Sequence, residues 1–373
     1  MQDYKTEHPF DIRLTEEQQM TWDTLKKFAE LEMRPNARKA EEDGMPSKDL
    51  LEKFKALDLV SLIIPEQFGG MGLKQDSVSR AISLEALAYG DLSLTMSVSL
   101  PLLTASIISD HGSEDQKEDY LTKFSSGSMF HVGLGINNTN ALVDTYQSSV
   151  SVKDNGDELI LNGSKTGIAY GEDAEVFLIS GSNDQGDCNL YFVQKDMAGV
   201  QIETKEFMGL KTNSWCEISL KNCKIKSSQT LGGHNYSLNY ESLIDSTRIG
   251  MAAMAVGVCQ AVLDYVVPYT NERIAFDEPI SNRQSVAFLI ADMAIEIEAL
   301  RLMVYKASAL KDLGEDFHKQ SSLTNRFAAH YAMKIGTDGV QLLGGHGFTH
   351  EHPVELWYRN LRAIGIFEGG AGV

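Results

Sequence analysis

Near its middle the chain reads Val150-Ser151-Val152, then Asp154-Asn155-Gly156-Asp157, then Leu159-Ile160-Leu161. Asn and Gly accept the positive φ angles of a tight turn, so Asn-Gly between two β-prone runs is typical of a hairpin. Asn162-Gly163 follows as a second turn signal. The stretch therefore predicts an antiparallel pair of strands.

The same pattern of short apolar runs and turn residues continues from about Met129 to Leu231. Three further strands are predicted at Val176–Ile179, Leu190–Val193 and Cys216–Leu220. Their regular spacing favours a small barrel or sandwich over a sheet of βαβ units. No Gly-x-Gly-x-x-Gly motif follows a strand, which argues against a Rossmann domain.

Apolar residues recur at helical spacing on both sides of this β region. Before it, Thr15 and Ser113 are placed to cap helices, and the Pro- and Gly-rich segment Ile64–Leu73 interrupts the pattern as a loop. From about Tyr240 onward the helical pattern returns. One apolar face over several turns is formed by Val286, Leu289, Ile290, Met293, Ile297, Leu300 and Val304. This part predicts a long helical bundle.

The order of these regions predicts an α+β multidomain protein. We expect an N-terminal α-helical domain at 1–128, a middle antiparallel β-barrel-like domain at 129–235, and a C-terminal helical bundle domain at 236–373. No low-complexity linker separates them, so the domains are expected to pack tightly against each other.

Composition narrows the classes of partner. A formal net charge of -19 opposes binding to nucleic acid and to anionic membrane surfaces. The N-terminus lacks a basic segment followed by an apolar stretch, and no uninterrupted apolar span of membrane length is expected, so a cytoplasmic location is predicted. The four cysteines are far apart, without a C-x-x-C pair, and are interpreted as mostly buried thiols with no metal role.

Five segments, taken in order, resemble motifs of the acyl-CoA dehydrogenase family. They are LIIPEQFGGMGL at 62–73 (family VPEEYGGLGL), GSEDQK at 112–117 (GTEEQK), LNGSK at 161–165 (LNGSK), NERIAF at 271–276 (ERKQFG) and QLLGGHGFT at 341–349 (QIHGGYGYT). Each motif is weak alone. Their order and separations cover almost the entire chain and indicate the family's fold, although fold alone does not establish activity.

The resemblance implies α,β-dehydrogenation of an acyl thioester, in which a carboxylate removes a proton from Cα and a hydride leaves Cβ for N5 of FAD. The catalytic base of the family is the Glu of its YEGT motif, which corresponds to Glu368. The uncharged run Ala363–Phe367 before it suits a base in an apolar pocket, and the Glu368 N–H is expected to bind the thioester carbonyl. The alternative is a solvated carboxylate near a frayed chain end.

Some relatives carry the base just before an Arg in the C-terminal domain, but Thr247 stands at that place here. Arg248 corresponds to a family Arg that supports the acyl-binding cavity, and Asp245 and Arg248 are therefore candidate substrate-binding residues. The alternative is a buried Arg248 that pairs with Asp245.

The resemblance also implies FAD binding by guanidinium groups, glycine amides and helix N-termini. Candidates for the adenine half are Arg273, Phe276 and Gln284, with Gln341, Gly344 and Gly345 reaching it from a neighbouring subunit. A homodimer or homotetramer is therefore expected. Ile168 is a further cofactor candidate. A helix-end Arg and a Gly-rich interhelical turn are the alternatives for these residues.

The flavin-facing segments depart from the family. Residues 135–142 replace TEPGAGSD, with Gly135 at the place of the Thr that would hydrogen-bond the flavin. Gly167 and Ala169 replace the Trp and Thr of MWITN. Gly370 lacks a hydroxyl for the pyrophosphate, and the Gly-rich stretch up to Val373 predicts a mobile segment around Glu368. Retention of FAD is therefore left open.

Three functions are compatible with these features. The first is an FAD-dependent dehydrogenase of acyl thioesters carried by CoA or by a carrier protein, which passes electrons to an acceptor such as an electron-transfer flavoprotein. The second is a non-catalytic scaffold or partner subunit with weak or no flavin binding. The third is a flavin monooxygenase on the same fold, which needs no carboxylate base. The length and branching of the acyl group do not follow from the sequence.

Overall fold

A computed structural model describes residues 13–73, 75–126, 130–140, 144–171, 173–369 and 372–373. The N-terminal part is helical. Its helices are α1 (Glu16–Phe28), α2 (Arg34–Asp43), α3 (Lys48–Leu57), α4 (Leu59–Ile63), α5 (Ser77–Ala88), α6 (Leu92–His111) and α7 (Glu114–Ser125), with a π-helical stretch at Ala29–Met33 joining the first two.

Both predicted helix caps are confirmed. Thr15 caps α1, where its hydroxyl accepts a hydrogen bond from the Gln18 N–H, and Ser113 caps α7 in the same way. The predicted loop between α4 and α5 contains a short 3₁₀ turn, Glu66–Phe68. There a Cβ on Gly70 would lie 2.1 Å from the carbonyl oxygen of Ile64, so only glycine allows this close approach.

The middle part forms one seven-stranded sheet. The strands are β1 (Val132–Gly135), β2 (Ser151–Asp154), β3 (Glu158–Ala169), β4 (Val176–Ser182), β5 (Cys188–Gln194), β6 (Val200–Lys205) and β7 (Trp215–Lys226), in the order β1-β4-β2-β3-β7-β6 with β5 on β4. The predicted hairpin is confirmed: β2 and β3 pair antiparallel, and Gly156 takes φ +83° in the turn. Contrary to a purely antiparallel arrangement, β4 pairs parallel to β1 and β2.

The C-terminal part is the predicted helical bundle. It contains α8 (Tyr240–Glu272), α9 (Gln284–Asp312), α10 (His318–Leu342) and α11 (Val354–Leu361), with a small hairpin of β8 (Ile274–Ala275) and β9 (Glu278–Pro279) between α8 and α9. The predicted apolar face of α9 is buried at Met293, Ile297, Leu300 and Val304. A buried ion pair of 2.8 Å between Glu85 on α5 and Arg301 ties this bundle to the N-terminal helices.

The sequence predicts no apolar span of membrane length, but by length and composition alone two helices could span a membrane. Helices α6 and α8 are both long and apolar enough, each with a mean hydropathy of 1.6. In each case 78% of the apolar window is buried inside the fold, as in the core helices of globular proteins. Their length and composition are therefore weak evidence for a membrane span.

One hydrophobic core joins all three parts of the chain. It includes Met96 from α6, Trp215 from β7 and Ile249 from α8, and Phe367 packs against it. The predicted tight packing between domains is thus confirmed, while the exact domain boundaries stay a prediction. The chain enters this shared core again after α11, through the 3₁₀ turn Arg362–Gly365, and that turn brings Glu368 to the junction.

Candidate active site

The Glu368 side chain is mostly enclosed between the β domain and α8, with 15% of its surface exposed. Its Oε1 accepts hydrogen bonds from Arg248, at 3.0 Å from Nε and 2.9 Å from a terminal guanidinium nitrogen. Burial raises the pKa of this carboxyl, and the Arg248 charge opposes that shift. The alternative of a solvated carboxylate is therefore wrong.

The backbone of Glu368 is held by one side chain of the β domain. Asn137 Oδ1 accepts a hydrogen bond of 2.8 Å from the Glu368 N–H, and Asn137 Nδ2 donates to the Glu368 carbonyl at 3.1 Å. The amide predicted to bind a thioester carbonyl is thus already paired in this conformation. Asn137 belongs to the segment that departs from the family motif. A residue of this divergent segment therefore holds the backbone of the predicted base by hydrogen bonds.

The segment around Glu368, which the sequence predicts to be mobile, has these anchoring contacts and others beyond it. Val373 is buried, and its carbonyl oxygen accepts hydrogen bonds from Ser246, at 2.6 Å, and from Lys311. Gly370, with its predicted loss of a pyrophosphate contact, lies outside the described residues. Val373 therefore packs against α8 and α9.

Arg248 does not pair with Asp245, and that alternative is wrong. Besides Glu368, its guanidinium donates to the Tyr146 hydroxyl and lies 4.9 Å from the centre of the Tyr146 ring. Asp245, one helical turn earlier on α8, accepts a 2.8 Å hydrogen bond from Tyr146 and lies 2.8 Å from His318 Nδ1. Two candidate residues thus occupy one network with two residues that sequence reasoning missed, Tyr146 and His318.

The flavin-facing end of the β domain is packed with aromatic rings. A Cβ on Gly167, which has φ +62°, would lie 2.5 Å from Cε1 of Phe367. Phe367 stacks on Trp215 with ring centres 5.1 Å apart, and Phe207 packs edge-on to both. The Trp missing at position 167 is therefore matched by a ring from the segment before Glu368.

Two predicted flavin-side positions face the interior of the β domain. Ile168 is completely buried in the sheet core, where its side chain packs on Gly133 and Gly135. A Cβ on Gly135 would lie 2.5 Å from Ile179. A role for Ile168 in cofactor binding is therefore limited to its backbone. The neighbouring positions 141 and 142, which complete the predicted segment, lie outside the described residues.

The adenine-side candidates surround one open cavity of about 570 Å³. Its lining includes Arg273, Phe276, Gln341, Gly344 and Gly345, while Gln284 begins α9 nearby. Phe276 is 88% exposed, and a Cβ on either glycine would meet nothing within 4 Å. Both predicted groups therefore line the same cavity of one chain.

This cavity fits the adenine-nucleotide half of FAD. Arg273 and Arg283 line the cavity with two guanidinium groups suited to phosphate oxygens; that of Arg283 pairs with Glu278 at 3.1 Å and lies 5.2 Å from the Phe276 ring. The exposed ring offers a stacking face, and the open glycine backbone allows close approach. An apolar ring left in water at the rim of a cationic cavity is typical of a ligand site.

Comparison with known proteins agrees with this geometry. Residues 15–128, 135–223 and 239–373 match the N-terminal, middle and C-terminal domains of acyl-CoA dehydrogenases, respectively. The probable acyl-CoA dehydrogenase YngJ of Bacillus subtilis is 32% identical over 368 residues, which cover 96% of each chain. The short-chain specific acyl-CoA dehydrogenase of Megasphaera elsdenii is 30% identical, with the same coverage.

Comparison with solved structures indicates the same fold. Butyryl-CoA dehydrogenase from Megasphaera elsdenii superimposes with a TM-score of 0.84 at 28% identity, covering 97% of this chain and 96% of that one. A chain solved in work on the electron transferring flavoprotein of Acidaminococcus fermentans gives the same TM-score and coverage at 30% identity. The family consists of FAD flavoproteins that act as oxidoreductases. The predicted fold and resemblance are thus confirmed, and the chain belongs to the acyl-CoA dehydrogenase family.

Proposed function

We propose that this protein catalyses FAD-dependent α,β-dehydrogenation of an acyl thioester, with Glu368 as the base that removes the Cα proton. The observation that carries the proposal is the buried Glu368 carboxylate, held through one oxygen by Arg248. Burial favours the protonated form of a carboxyl, so it strengthens the carboxylate as a base toward a weakly acidic Cα–H.

The residues around Glu368 have different roles in the proposed reaction. Arg248 fixes Oε1 and opposes the rise that burial causes in the pKa of Glu368, while Asn137 fixes the backbone on either side. FAD, when bound, supplies the acceptor for the hydride that leaves Cβ. Arg273, Phe276, Gly344 and Gly345 would hold its adenine-nucleotide half. A thioester carbonyl can use the Glu368 amide only when Asn137 releases it.

The test compares Glu368→Gln with Glu351→Gln, a change at an exposed position. Purified wild-type protein is expected to be yellow and to lose its flavin colour on anaerobic mixing with acyl-CoA or a carrier-bound acyl thioester. Glu368→Gln should bind flavin equally and bleach about 10²–10⁴-fold more slowly, because a general base contributes about that factor. Bleaching at the wild-type rate would contradict the assignment of the base.

A second candidate function, a non-catalytic family member, is favoured by one observation. Phe367 lies on Gly167, and Asn137 occupies the Glu368 amide, so the ring side is closed in this conformation. If this state persists, the protein purifies without flavin, and added FAD leaves its melting temperature unchanged. Flavin absorbance in the purified protein decides between the two functions.

We also propose that the chain self-associates as a dimer or tetramer, in the cytoplasm, and passes electrons to a separate flavoprotein. Phe288, Ile295 and Leu302 repeat every second turn of α9 and are 62%, 66% and 42% exposed, which supports burial against another chain. Light scattering should give a mass above 41.2 kDa, and Ile295→Glu should reduce it toward one chain. A single-chain mass for wild-type protein would contradict self-association.

A further inference from the structure

Asp245 is almost completely buried on α8, one helical turn before Arg248. Each of its two carboxylate oxygens and its backbone oxygen has a polar partner. Oδ1 accepts from the Tyr146 hydroxyl at 2.8 Å, and Oδ2 lies 2.8 Å from Nδ1 of His318. Its backbone oxygen accepts from Ser321 at 2.9 Å. A carboxylate with this many partners is oriented rigidly.

Tyr146 connects this carboxylate to the Glu368–Arg248 pair. Its hydroxyl donates to Asp245 and accepts from Arg248, whose remaining nitrogens contact Glu368. Burial raises the pKa of Tyr146 to about 12, so the hydroxyl keeps its proton and stays a donor to Asp245. The Tyr146 ring also lies beneath the Arg248 guanidinium, 4.9 Å away, and restricts its position.

His318 is the solvent end of the chain of contacts. It begins α10, half of its side chain is exposed, and its ring lies 5.4 Å from that of Tyr146. The hydrogen bond and charge of Asp245 raise the pKa of His318, with Glu241 and Asp316 adding to the same direction. His318 can therefore exchange protons with water while it contacts a buried carboxylate.

The negative charge of Asp245 affects the pKa of Glu368. Arg248 lowers the pKa of Glu368, whereas Asp245 raises it, and Glu368 also acts on the buried Tyr240. When His318 is protonated, its charge offsets that of Asp245 and favours ionised Glu368. When His318 is neutral, the uncompensated Asp245 charge favours protonated Glu368.

We propose that Tyr146, Asp245 and His318 are positioning residues for the base: they hold Arg248 on one oxygen of Glu368 and adjust, through the charge of His318, how readily Glu368 is ionised. The proposal rests on the dehydrogenase function proposed above. Arg248 contacts Oε1 of Glu368, and among the residues that the structure describes no contact to Oε2 is found, so we assign Oε2 to the substrate proton. The three residues act through Arg248 and not on the substrate itself.

The kinetic test uses two substitutions with opposite expected signs. His318→Gln removes the charge that offsets Asp245, so the acid limb of the kcat/KM profile should move to higher pH, by roughly 0.5–1 unit. Asp245→Asn removes the negative charge, so the limb should move to lower pH. Tyr146→Phe releases Arg248 and should lower kcat about 10–100-fold with little change in KM.

His330→Gln is the matched control, because His330 lies exposed on the same helix α10 as His318 and has no contact with the site. Its profile should equal that of wild-type protein. A purely structural role would reduce activity without moving the limbs. Limbs that stay in place in both His318→Gln and Asp245→Asn, or that move in the same direction, would overturn the proposal.

A second measurement does not depend on turnover. Proton NMR of histidine-labelled protein, without substrate, should show His318 titrating above the ordinary histidine pKa of 6.5 and falling to it in Asp245→Asn. If Asp245→Asn does not fold, Tyr146→Phe and His318→Gln carry the kinetic test. A raised His318 pKa without turnover supports the network and rejects the dehydrogenase; turnover with an ordinary His318 pKa rejects the network alone.

Discussion

Two ends of the predicted cofactor path differ in how completely the protein fills them. At the adenine end, Phe276 is 88% exposed, and Gly344 and Gly345 border open space. At the ring end, Gly167 is in contact with Phe367, which stacks on Trp215. The open end keeps the family's residues around a cavity, where Phe276 contacts Arg283 but stays mostly exposed. The closed end has lost the family's residues and packs its own rings. At the closed end Phe367 thus occupies the place of a lost side chain, whereas the open end has room for a ligand.

Gly167→Ala should give the largest effect, because it adds a clash with Phe367 to an unfavourable φ. Gly156→Ala is the matched control, since Gly156 also has positive φ but nothing within 4 Å of its Cβ. We expect a loss of about 3 kcal/mol in the free energy of unfolding for Gly167→Ala and about 1 kcal/mol for Gly156→Ala. Equal losses, measured by urea denaturation, would show that the closed end is loosely packed.

Arg273→Ala addresses the open end. Because Arg273 lines an open cavity, its removal should leave the stability of flavin-free protein within about 0.5 kcal/mol. The affinity for FAD should fall roughly 10–100-fold, the value of one charged hydrogen bond to phosphate. Flavin fluorescence titration measures this, with exposed Arg326→Ala as the control. Unchanged FAD affinity would remove the adenine assignment from this cavity.

The buried charge at Glu368 predicts a pH dependence of stability. Burial raises the folded-state pKa above the ordinary 4.5, so the folded protein holds this proton more tightly than the unfolded chain does. The stability that this proton contributes is therefore fully present below the ordinary pKa of 4.5 and is lost as the pH rises through the folded-state pKa. Glu368→Gln should flatten this decline, because glutamine has no proton to lose, in urea denaturation at a series of pH values. Parallel curves for both proteins would contradict a raised pKa.

Phe276→Ala should have the smallest effect on stability, within about 0.5 kcal/mol, because its ring contacts water more than protein. With FAD bound, the same change should reduce the ligand-induced rise in melting temperature, since stacking on the ring is lost. A clear loss of stability without FAD would mean that the open end is covered, by another chain or by other protein contacts.

Local features of this fold were predictable from sequence, and distant contacts were not. The Asn155-Gly156 turn and the Thr15 cap depend on neighbours a few positions away. Motif order placed Glu368 and Arg248 in the same site. By contrast, Asn137 meets Glu368 across 231 positions, and Tyr146 meets Asp245 across 99. Periodicity carries no information about such pairs.

The ring end shows why a substitution read alone can mislead. Gly167 in place of the family's Trp suggests that the space of the Trp ring is empty. That conclusion holds only if no other ring, such as that of Phe367, fills the space. The structure places the Phe367 ring there, because Trp215 provides a surface on which it stacks. The parallel pairing of β1 with β4 escaped prediction for a related reason: it joins strands separated by a complete hairpin.

The hydrophobic core shared by all three parts of the chain has a consequence for biosynthesis. Met96 and Tyr89 leave the ribosome long before Ile249 and Trp357, their partners in that core, have been made. Contacts of such high sequence separation form slowly, and the waiting apolar surface is prone to aggregate. The apolar faces that the N-terminal helices contribute to this core therefore stay exposed until the last bundle helix has been made.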